Sequence, residues 1–287
     1  MRIDVNIAVA TRWRVLVALC FVALVVESGC AAGTSGPRPS GVLDTGFVVT
    51  GDPESASGAT WTFRDTVDGV TYDLAGTLLK PRGIGPFPAV VLSHGADGSA
   101  AFFGSLIAPT MVQWGLVCIA TNYTHATGVP TGAPGNSSQP GASQANVLRA
   151  HMTFELLRQL SYVDMSRVAL HGHSMGAYLD VATLGAYPDD FRVGSHTGGG
   201  VRPDFIIAGP APSITQARGM RTPYQFHHGG ADNTVPLSYD QRLDSLLTSL
   251  GAAHELFVYP GADHLAVRLS PEMLAHVHDW YAAHGMF

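Results

Sequence analysis

Short apolar runs alternate with helical repeats along most of this chain of 287 residues. Phe87–Ser93 is a continuous apolar run, whereas Gln144–Leu160 repeats large apolar residues every four positions. Strands that are apolar on both faces are typical of parallel sheets that helices cover on two sides. The alternation therefore predicts an α/β fold with a mostly parallel central sheet and helices on both faces.

The same reasoning gives the other predicted elements. Further strands are expected at Thr71–Lys80, Leu116–Thr121, Val168–Leu170, Phe205–Ala208, Tyr224–Phe226 and Glu255–Tyr259, and further helices at Met175–Tyr187, Ser238–Leu250 and Pro271–Ala283. The carboxyl ends of parallel strands meet at one edge of a sheet, and ligands bind beyond that edge. Candidate functional residues should therefore follow these strands directly.

The first 32 residues have the features of an export signal. Arg2, Arg12 and Arg14 precede an apolar run, Val15–Val26, which small residues follow. The run is shorter than the roughly 20 residues that span a bilayer, so we expect a cleaved signal and a secreted or periplasmic protein without a stable membrane span. Ser28-Gly29-Cys30 resembles a lipoprotein cleavage site, which would place a lipid anchor at Cys30 in the cell envelope, but Glu27 stands where such sites carry an apolar residue.

The rest of the chain is expected to hold one domain. Residues 33–58 are rich in Gly, Pro and Ser and are predicted to be a linker, so the domain should span residues 59–287. Charged residues make up 13% of the chain, the formal net charge is −6, and there is no cluster of Lys and Arg. This charge pattern excludes nucleic acid as a partner, because phosphates require concentrated positive charge. The oligomeric state stays open.

A serine stands at the sharpest break between strand and helix patterns. The strand around Val168–Leu170 ends at Gly172, and Ser174 precedes the helix that begins at Met175. Gly172-His-Ser-Met-Gly176 fits the Gly-x-Ser-x-Gly pattern of a nucleophile elbow, in which a strained turn presents the serine hydroxyl. Because such short patterns also arise by chance in a Gly-rich chain, the assignment depends on this strand and helix context.

A serine hydroxyl needs a histidine base and a carboxylate that orients the imidazole. Asp232 follows the predicted strand Tyr224–Phe226 in a Gly-rich turn, and His264 follows the last predicted strand. This is the order Ser, acid, His that elbow hydrolases use. Asp204 is expected at the wrong edge of the sheet, and Asp263 adjoins His264 too closely in sequence to bond its ring.

Acyl transfer also needs amides that bind the oxyanion. We expect the backbone amides of Met175 and Ala96 to do this, because one follows the nucleophile and the other lies in the loop His94–Gly98. Gly198–Gly200 is expected to be a mobile loop. His171, His173, His227 and His228 could suggest a metal site, but no convincing ligand spacing accompanies them, so neither a metal nor another cofactor is expected.

Two long connections should shape the cleft, Tyr123–Gly141 and Phe191–Pro203. Neither carries a lid helix, so an open cleft for short acyl esters or exposed ester chains is expected. Tyr123, Phe102 and Phe103 are candidates for its lining, although such aromatics more often belong to a core.

With His94-Gly95, the elbow, Asp232 and His264 in this order, the chain resembles the α/β-hydrolase superfamily over roughly residues 60–285. The segments His228–Asp232 and Tyr259–His264 are similar to the dienelactone hydrolase-like and prolyl-oligopeptidase-like branches, and the elbow also resembles bacterial cutinases and polyester hydrolases. Dienelactone hydrolases carry Cys where this chain has Ser174, and no propeller domain precedes residue 59.

Together with the export signal in residues 1–32, the resemblance implies an exported serine hydrolase that cleaves carboxylic esters of small molecules or polymers through an acyl-enzyme. Two enzymatic alternatives use the same machinery, a peptidase and a thioesterase. A noncatalytic binding protein of the same fold is the alternative from another class.

Overall fold

The computed structural model describes residues 46–287 except 68, 97 and 128–139. The predicted export signal and the lipid-anchor position at Cys30 lie outside the described residues, as does most of the predicted linker. Among the residues described, no helix is long and apolar enough to cross a membrane.

Nine strands form one sheet in the described part of the chain. They are β1 (Val48–Gly51), β2 (Ala59–Val67), β3 (Val70–Leu79), β4 (Phe87–Ser93), β5 (Val117–Thr121), β6 (Val163–His173), β7 (Val193–Thr197), β8 (Tyr224–Gly229) and β9 (His254–Tyr259). Their order in space is β1-β2-β3-β5-β4-β6-β7-β8-β9. The strands β5, β4, β6, β7, β8 and β9 are mutually parallel, and the first three are antiparallel additions.

Six α-helices, counted over the part of the chain that the structure describes, cover this sheet on two faces. They are α1 (Ala100–Gln113), α2 (Gln144–Leu156), α3 (Met175–Ala186), the short α4 (Ile214–Ala217), α5 (Leu237–Leu250) and α6 (Pro271–Ala283). One large core cluster joins the sheet to α2, α3 and α5, and a second joins it to α1 and α6. The predicted α/β fold with a mostly parallel sheet is therefore confirmed.

One predicted strand is wrong. Phe205–Ala208 is not a strand, and the side chains of Phe205 and Ile207 are 84% and 91% exposed. The strand at this point of the sheet is β7, which lies within the segment expected to be a loop. Its residues Ser195, His196 and Thr197 are polar yet fully buried, so apolar content could not reveal it.

The start of the domain also differs from the sequence-based boundary. β1 pairs with β2 in antiparallel register, with Val48 opposite Thr62 and Gly51 opposite Ala59. The second half of the predicted linker therefore contributes an edge strand to the sheet. The few residues of β1 are mostly exposed, which is why a Gly- and Ser-rich composition concealed it.

Candidate active site

Ser174 occupies a strained turn between β6 and α3. Its backbone has φ 58° and ψ −119°, and it is the only non-glycine residue with a positive φ in the described part of the chain. Its amide donates to the carbonyl of Thr197, with N and O 3.0 Å apart. A strained non-glycine residue held by neighbouring strands is the geometry of a nucleophile elbow.

The two glycines of the elbow are required by close packing. A Cβ atom on Gly176 would lie 2.0 Å from the carbonyl oxygen of Ser93, and one on Gly172 would lie 2.5 Å from Oδ2 of Asp180. No side chain fits at such distances. The Gly-x-Ser-x-Gly pattern is therefore a packing requirement of this turn, which brings the end of β4 against the start of α3.

The loop after β4 lies beside the serine. A Cβ atom on Gly95 would be 3.1 Å from Cβ of Ser174. Ala96 follows in this loop, and its carbonyl accepts a bond from the Thr127 hydroxyl over 3.4 Å. Met175 begins α3, and the first amides of a helix have no acceptor within it. The two predicted oxyanion donors thus lie on the two segments that flank Ser174.

Two histidines brace this loop, and sequence reasoning did not assign them a role. His94 donates from Nδ1 to the carbonyl of Gly95 over 2.8 Å and accepts the amide of Tyr123 at Nε2 over 3.1 Å. His125 lies 3.1 Å from the carbonyl of His94 through its Nε2. Burial and the neighbouring His125 lower the pKa of His94 to about 3, so its ring is neutral. A neutral ring is required here because Nε2 must accept.

The predicted base and acid are bonded to each other. Nδ1 of His264 lies 2.7 Å from Oδ2 of Asp232, whose side chain is completely buried. The other carboxylate oxygen accepts the amides of Thr234 and Val235, each over 2.8 Å. These bonds fix the carboxylate and place the proton of His264 on Nδ1, which leaves Nε2 free to accept a proton.

His264 lies beside the elbow that carries Ser174. Its ring centroid is 4.6 Å from that of His173, the residue before Ser174. A Cβ atom on Gly198 would lie 3.0 Å from two of its ring atoms and 3.3 Å from Oδ2 of Asp232. Gly198 directly follows β7, so Gly198–Gly200 is a tightly packed wall of this site. The structure does not support its expected role as a mobile loop that follows no strand.

His173, the residue before Ser174, is a neutral imidazole beside the site. Its Nδ1 lies 2.8 Å from the Thr197 hydroxyl, and the ring is buried. Burial, together with the nearby His264 and Arg268, holds the pKa of His173 well below its usual range. The imidazole next to His264 is therefore neutral and adds no positive charge that would compete with proton uptake.

Two other acids were weighed as the partner of His264, and the structure gives each a different position from that of Asp232. Asp263 accepts the amides of Leu265 and Ala266 with Oδ1, at 3.0 Å and 2.7 Å, and so caps the turn that follows it. Asp204 lies in the exposed loop after β7 and not at the start of a strand, which corrects its expected position.

The three aromatic candidates for the cleft lining differ in how far they are buried. Phe103 is 1% exposed and packs in the core, and Tyr123 is fully buried with its hydroxyl 3.1 Å from that of Ser93. Their burial places both in the core and not on a cleft wall. Phe102 is 48% exposed, and the guanidinium of Arg268 lies 5.7 Å from its ring centre. Much of the predicted cleft loop, residues 128–139, lies outside the described residues.

The four histidines weighed as metal ligands have separate partners. His171 bonds Ser195, His173 bonds Thr197, His227 bonds Tyr259 and His228 bonds Asp240. Among the described residues, no group of three or more His, Cys, Asp or Glu side chains is arranged to hold a metal ion.

The sheet order, the elbow at Ser174 and the turn after β9 that carries His264 together define an α/β hydrolase. The solved S-formylglutathione hydrolase of Agrobacterium tumefaciens has this fold, with a TM-score of 0.61 at 18% identity over 84% of this chain and 99% of that one. A Thermogutta terrifontis esterase has a TM-score of 0.57 at 16% identity, over 82% of this chain and 97% of its own.

The sequence comparisons assign the chain to one family within the α/β hydrolases. The model of the dienelactone hydrolase family matches residues 74–282, and this chain belongs to that family. A Synechocystis protein provisionally named a carboxymethylenebutenolidase is 24% identical over 211 residues, which is 69% of this chain and 83% of that protein. Human acylamino-acid-releasing enzyme is 29% identical over 135 residues, 45% of this chain, but this match covers only 18% of the human enzyme. The protein is a hydrolase of the dienelactone hydrolase family.

Proposed function

We propose that this protein is a serine hydrolase that cleaves carboxylic esters through an acyl-enzyme. The observation that carries the proposal is the strained Ser174 on the same sheet edge as the bonded pair His264 and Asp232. The hydroxyl of Ser174 attacks the ester carbonyl while Nε2 of His264 takes its proton. Asp232 holds the imidazole and stabilises the imidazolium that forms.

The tetrahedral intermediate carries a negative oxygen, which the amides of Met175 and Ala96 bind. Each such donor contributes about 3 to 4 kcal/mol of transition-state stabilisation. His264 then protonates the leaving alcohol, and the acyl group stays on Ser174. Water deacylates the enzyme by the reverse proton path, with His264 as base and then acid, and releases the carboxylic acid.

A fluorophosphonate probe tests the nucleophile. It forms a phosphorus–oxygen bond with an activated serine and expels fluoride, so the folded protein should be labelled on Ser174 within minutes. Ser174→Ala should abolish labelling, and Ser195→Ala, which changes another serine near the end of a central strand, should keep it. A folded wild-type protein that is not labelled would be a noncatalytic member of the fold.

Ester cleavage is proposed first because the family match is to the dienelactone hydrolases, whereas the matches to the human and rat acylamino-acid-releasing enzymes cover only 18% and 38% of those proteins. The similarity to them nevertheless supports a second candidate, release of an acylated amino acid from a peptide. A panel of p-nitrophenyl esters, acylaminoacyl p-nitroanilides and thioesters separates ester, peptide and thioester cleavage by kcat/KM.

The substrate is proposed to be a short acyl ester or an exposed ester chain that contacts Phe102. This ring is half exposed at the start of α1, close to the loop that holds Ala96. The kcat/KM of p-nitrophenyl esters from acetate to decanoate should fall once the chain exceeds the length the cleft accepts. Phe102→Ala should raise KM for the preferred chain, whereas a uniform change for all lengths would place Phe102 outside the acyl site.

Export is proposed from residues 1–32. Expression of the full chain in a bacterial host should give a processed protein in the periplasm or medium, and the mass of its N-terminal peptide should locate the cleavage site. A lipid anchor would instead appear as a diacylglyceryl thioether on Cys30. Retention of an unprocessed chain in the cytoplasm would contradict export.

A further inference from the structure

A second buried histidine–carboxylate pair, His228 and Asp240, lies next to the Asp232 carboxylate. Nε2 of His228 lies 3.6 Å from Oδ2 of Asp232, and Nδ1 of His228 lies 2.7 Å from Oδ2 of Asp240. The side chains of His228, Asp232 and Asp240 are all completely buried. His228 comes from β8 and Asp240 from the first turn of α5, so two elements of the fold place this pair behind the site.

The hydrogen-bond partners of His228 determine its protonation state. Nε2 faces the carbonyl of Val235 over 3.0 Å, and a carbonyl can only accept, so this nitrogen carries a proton. Nδ1 faces Asp240, whose carboxylate also accepts. Both nitrogens therefore donate, and the ring is an imidazolium.

The pKa shifts of His228 and Asp240 agree with this geometry. Burial works against a charged His228, but the hydrogen bond and the charge of Asp240 raise its pKa above the usual value. Burial likewise works against ionised Asp240, yet the charges and hydrogen bonds of His196 and His228 lower its pKa to about 2. Asp240 accepts from Nε2 of His196 over 2.8 Å with its other oxygen, which completes its bonding.

We propose that His228 and Asp240 are positioning residues that hold a buried positive charge behind the Asp232 carboxylate and thereby set the basicity of His264. The proposal rests on the serine hydrolase mechanism above. The charges alternate along the row from Asp232 through His228 to Asp240. The positive charge of the imidazolium offsets part of the negative field that the Asp232 carboxylate exerts on His264, so His264 gives up its proton at a lower pH than with Asp232 alone.

The remaining titratable groups around this row do not reverse the effect. Tyr178 on α3 is neutral, because burial and the charges of Asp240, Tyr239 and Asp232 raise its pKa. The groups that interact with the row or lie near His264 from packed elements are Tyr178 of α3, Tyr239 and Asp240 of α5, His196 of β7, Tyr224 and His227 of β8, His173 of β6, and Arg268 in the turn before α6. Burial and the neighbouring histidines hold the pKa of His227 well below its usual range, so this ring is neutral.

Asp240→Asn is the sharpest test of the charge. Asparagine can donate from its amide nitrogen to Nδ1 of His228 and accept from His196 with its oxygen, so both bonds survive while His228 becomes neutral. The acidic limb of the pH profile of the fluorophosphonate labelling rate should then shift to higher pH by about 0.5 to 1 unit, because both charges of the pair are lost and the imidazolium is the nearer of the two to Asp232. His228→Gln, which keeps a donor toward Val235, should shift it in the same direction.

Tyr224→Phe is the matched control. It removes the hydroxyl that lies 2.9 Å from Nδ1 of His196 at the far end of the row, without changing a charge. It should lower stability slightly and leave the limb in place. If Asp240→Asn lowers the labelling rate at every pH without moving the limb, the pair has only a structural role and the proposal is overturned.

A second measurement is independent of activity. In ¹⁵N-histidine spectra of the Ser174→Ala variant, His228 should show the two protonated nitrogens of an imidazolium at pH 7, and His264 should titrate at higher pH when Asp240→Asn is added. A neutral His228 at pH 7 overturns the proposal, even where Asp240→Asn fails to fold. If Ser174 is never labelled but these spectra are as expected, the proposed enzymatic function fails and the charge assignment stands.

Discussion

Gly198 lies directly against the imidazole of His264. A Cβ atom at residue 198 would be 3.0 Å from both Cε1 and Nδ1 of His264, and the backbone of Gly198 has φ +58°. The loop after β7 therefore forms a wall that holds the predicted base over Asp232. A methyl group on this wall would push the ring away from the carboxylate.

Gly198→Ala should therefore reduce catalysis more than it reduces stability. We expect kcat to fall by at least 10-fold on the best ester substrate, since small displacements of a catalytic group cost up to about 100-fold. Steady-state kinetics and urea unfolding of the same preparations measure the two effects.

The matched control is Gly251→Ala at the end of α5. Gly251 has a similar backbone, φ +66°, but nothing lies within 4 Å of a Cβ there. Both substitutions place a side chain in the left-handed region at a cost of about 1 kcal/mol. Equal activity losses in the two variants would mean that the backbone, and not contact with His264, is responsible.

The strain at Ser174 should be measurable as stability. Replacing it with Gly removes the penalty of a positive φ, typically about 1 to 3 kcal/mol, against an entropic cost of about 0.5 to 1 kcal/mol for Gly. Both Ser174→Gly and Ser174→Ala should be inactive, but the Gly variant should unfold with a free energy about 1 kcal/mol larger than the Ala variant. Equal or reversed stabilities in urea titrations would show that the turn is not strained.

Asp232→Asn should leave the fold intact and cost up to about 10⁴ in kcat, because the amide favours the wrong tautomer of His264. Asp263→Asn is the control, since Asp263 stands next to His264 in sequence yet bonds only local amides. It should change kcat by less than 10-fold. Comparable losses in the two variants would move the role of the acid away from Asp232.

Stability should fall as the pH drops below about 6.5. Burial, with the charge of a neighbouring histidine, lowers the pKa of His94 and that of His171 to about 3. Between pH 6.5 and 3 the unfolded chain binds protons at these rings that the native state does not, so the native state loses about 1.4 kcal/mol per pH unit for each ring. Urea unfolding between pH 7 and 5 checks this.

His171→Asn tests the origin of that slope. The amide can keep the bond to Ser195 but cannot titrate, so the slope below pH 6 should drop by about one proton. Ser195→Ala removes the same bond and keeps the imidazole, and it should lower stability while preserving most of the slope. A slope that His171→Asn does not reduce would assign the acid sensitivity to other groups.

The prediction from sequence was most successful where one strong local pattern decides the outcome. The elbow combines a strand ending, two glycines and a helix start within a few residues, and α6 begins at Pro271 with Ser270 as its cap, as expected. It failed at β7, because the buried side chains of Ser195, His196 and Thr197 are satisfied by bonds to other elements, namely to Tyr281, Tyr224 and His173. Such partners lie far apart in the chain, so no local pattern records them.

The sequence by itself determined the α/β class, most strands of the parallel sheet, the family, and three candidate residues at the ends of strands. The tertiary structure alone decided which groups stand behind them. Asp240 on α5 and His228 on β8 meet only because the helix packs across the sheet, and Gly198 reaches His264 only because β7 lies between β6 and β8. Local sequence encodes backbone preference, whereas the charge and shape of a buried site depend on contacts that only the complete fold creates.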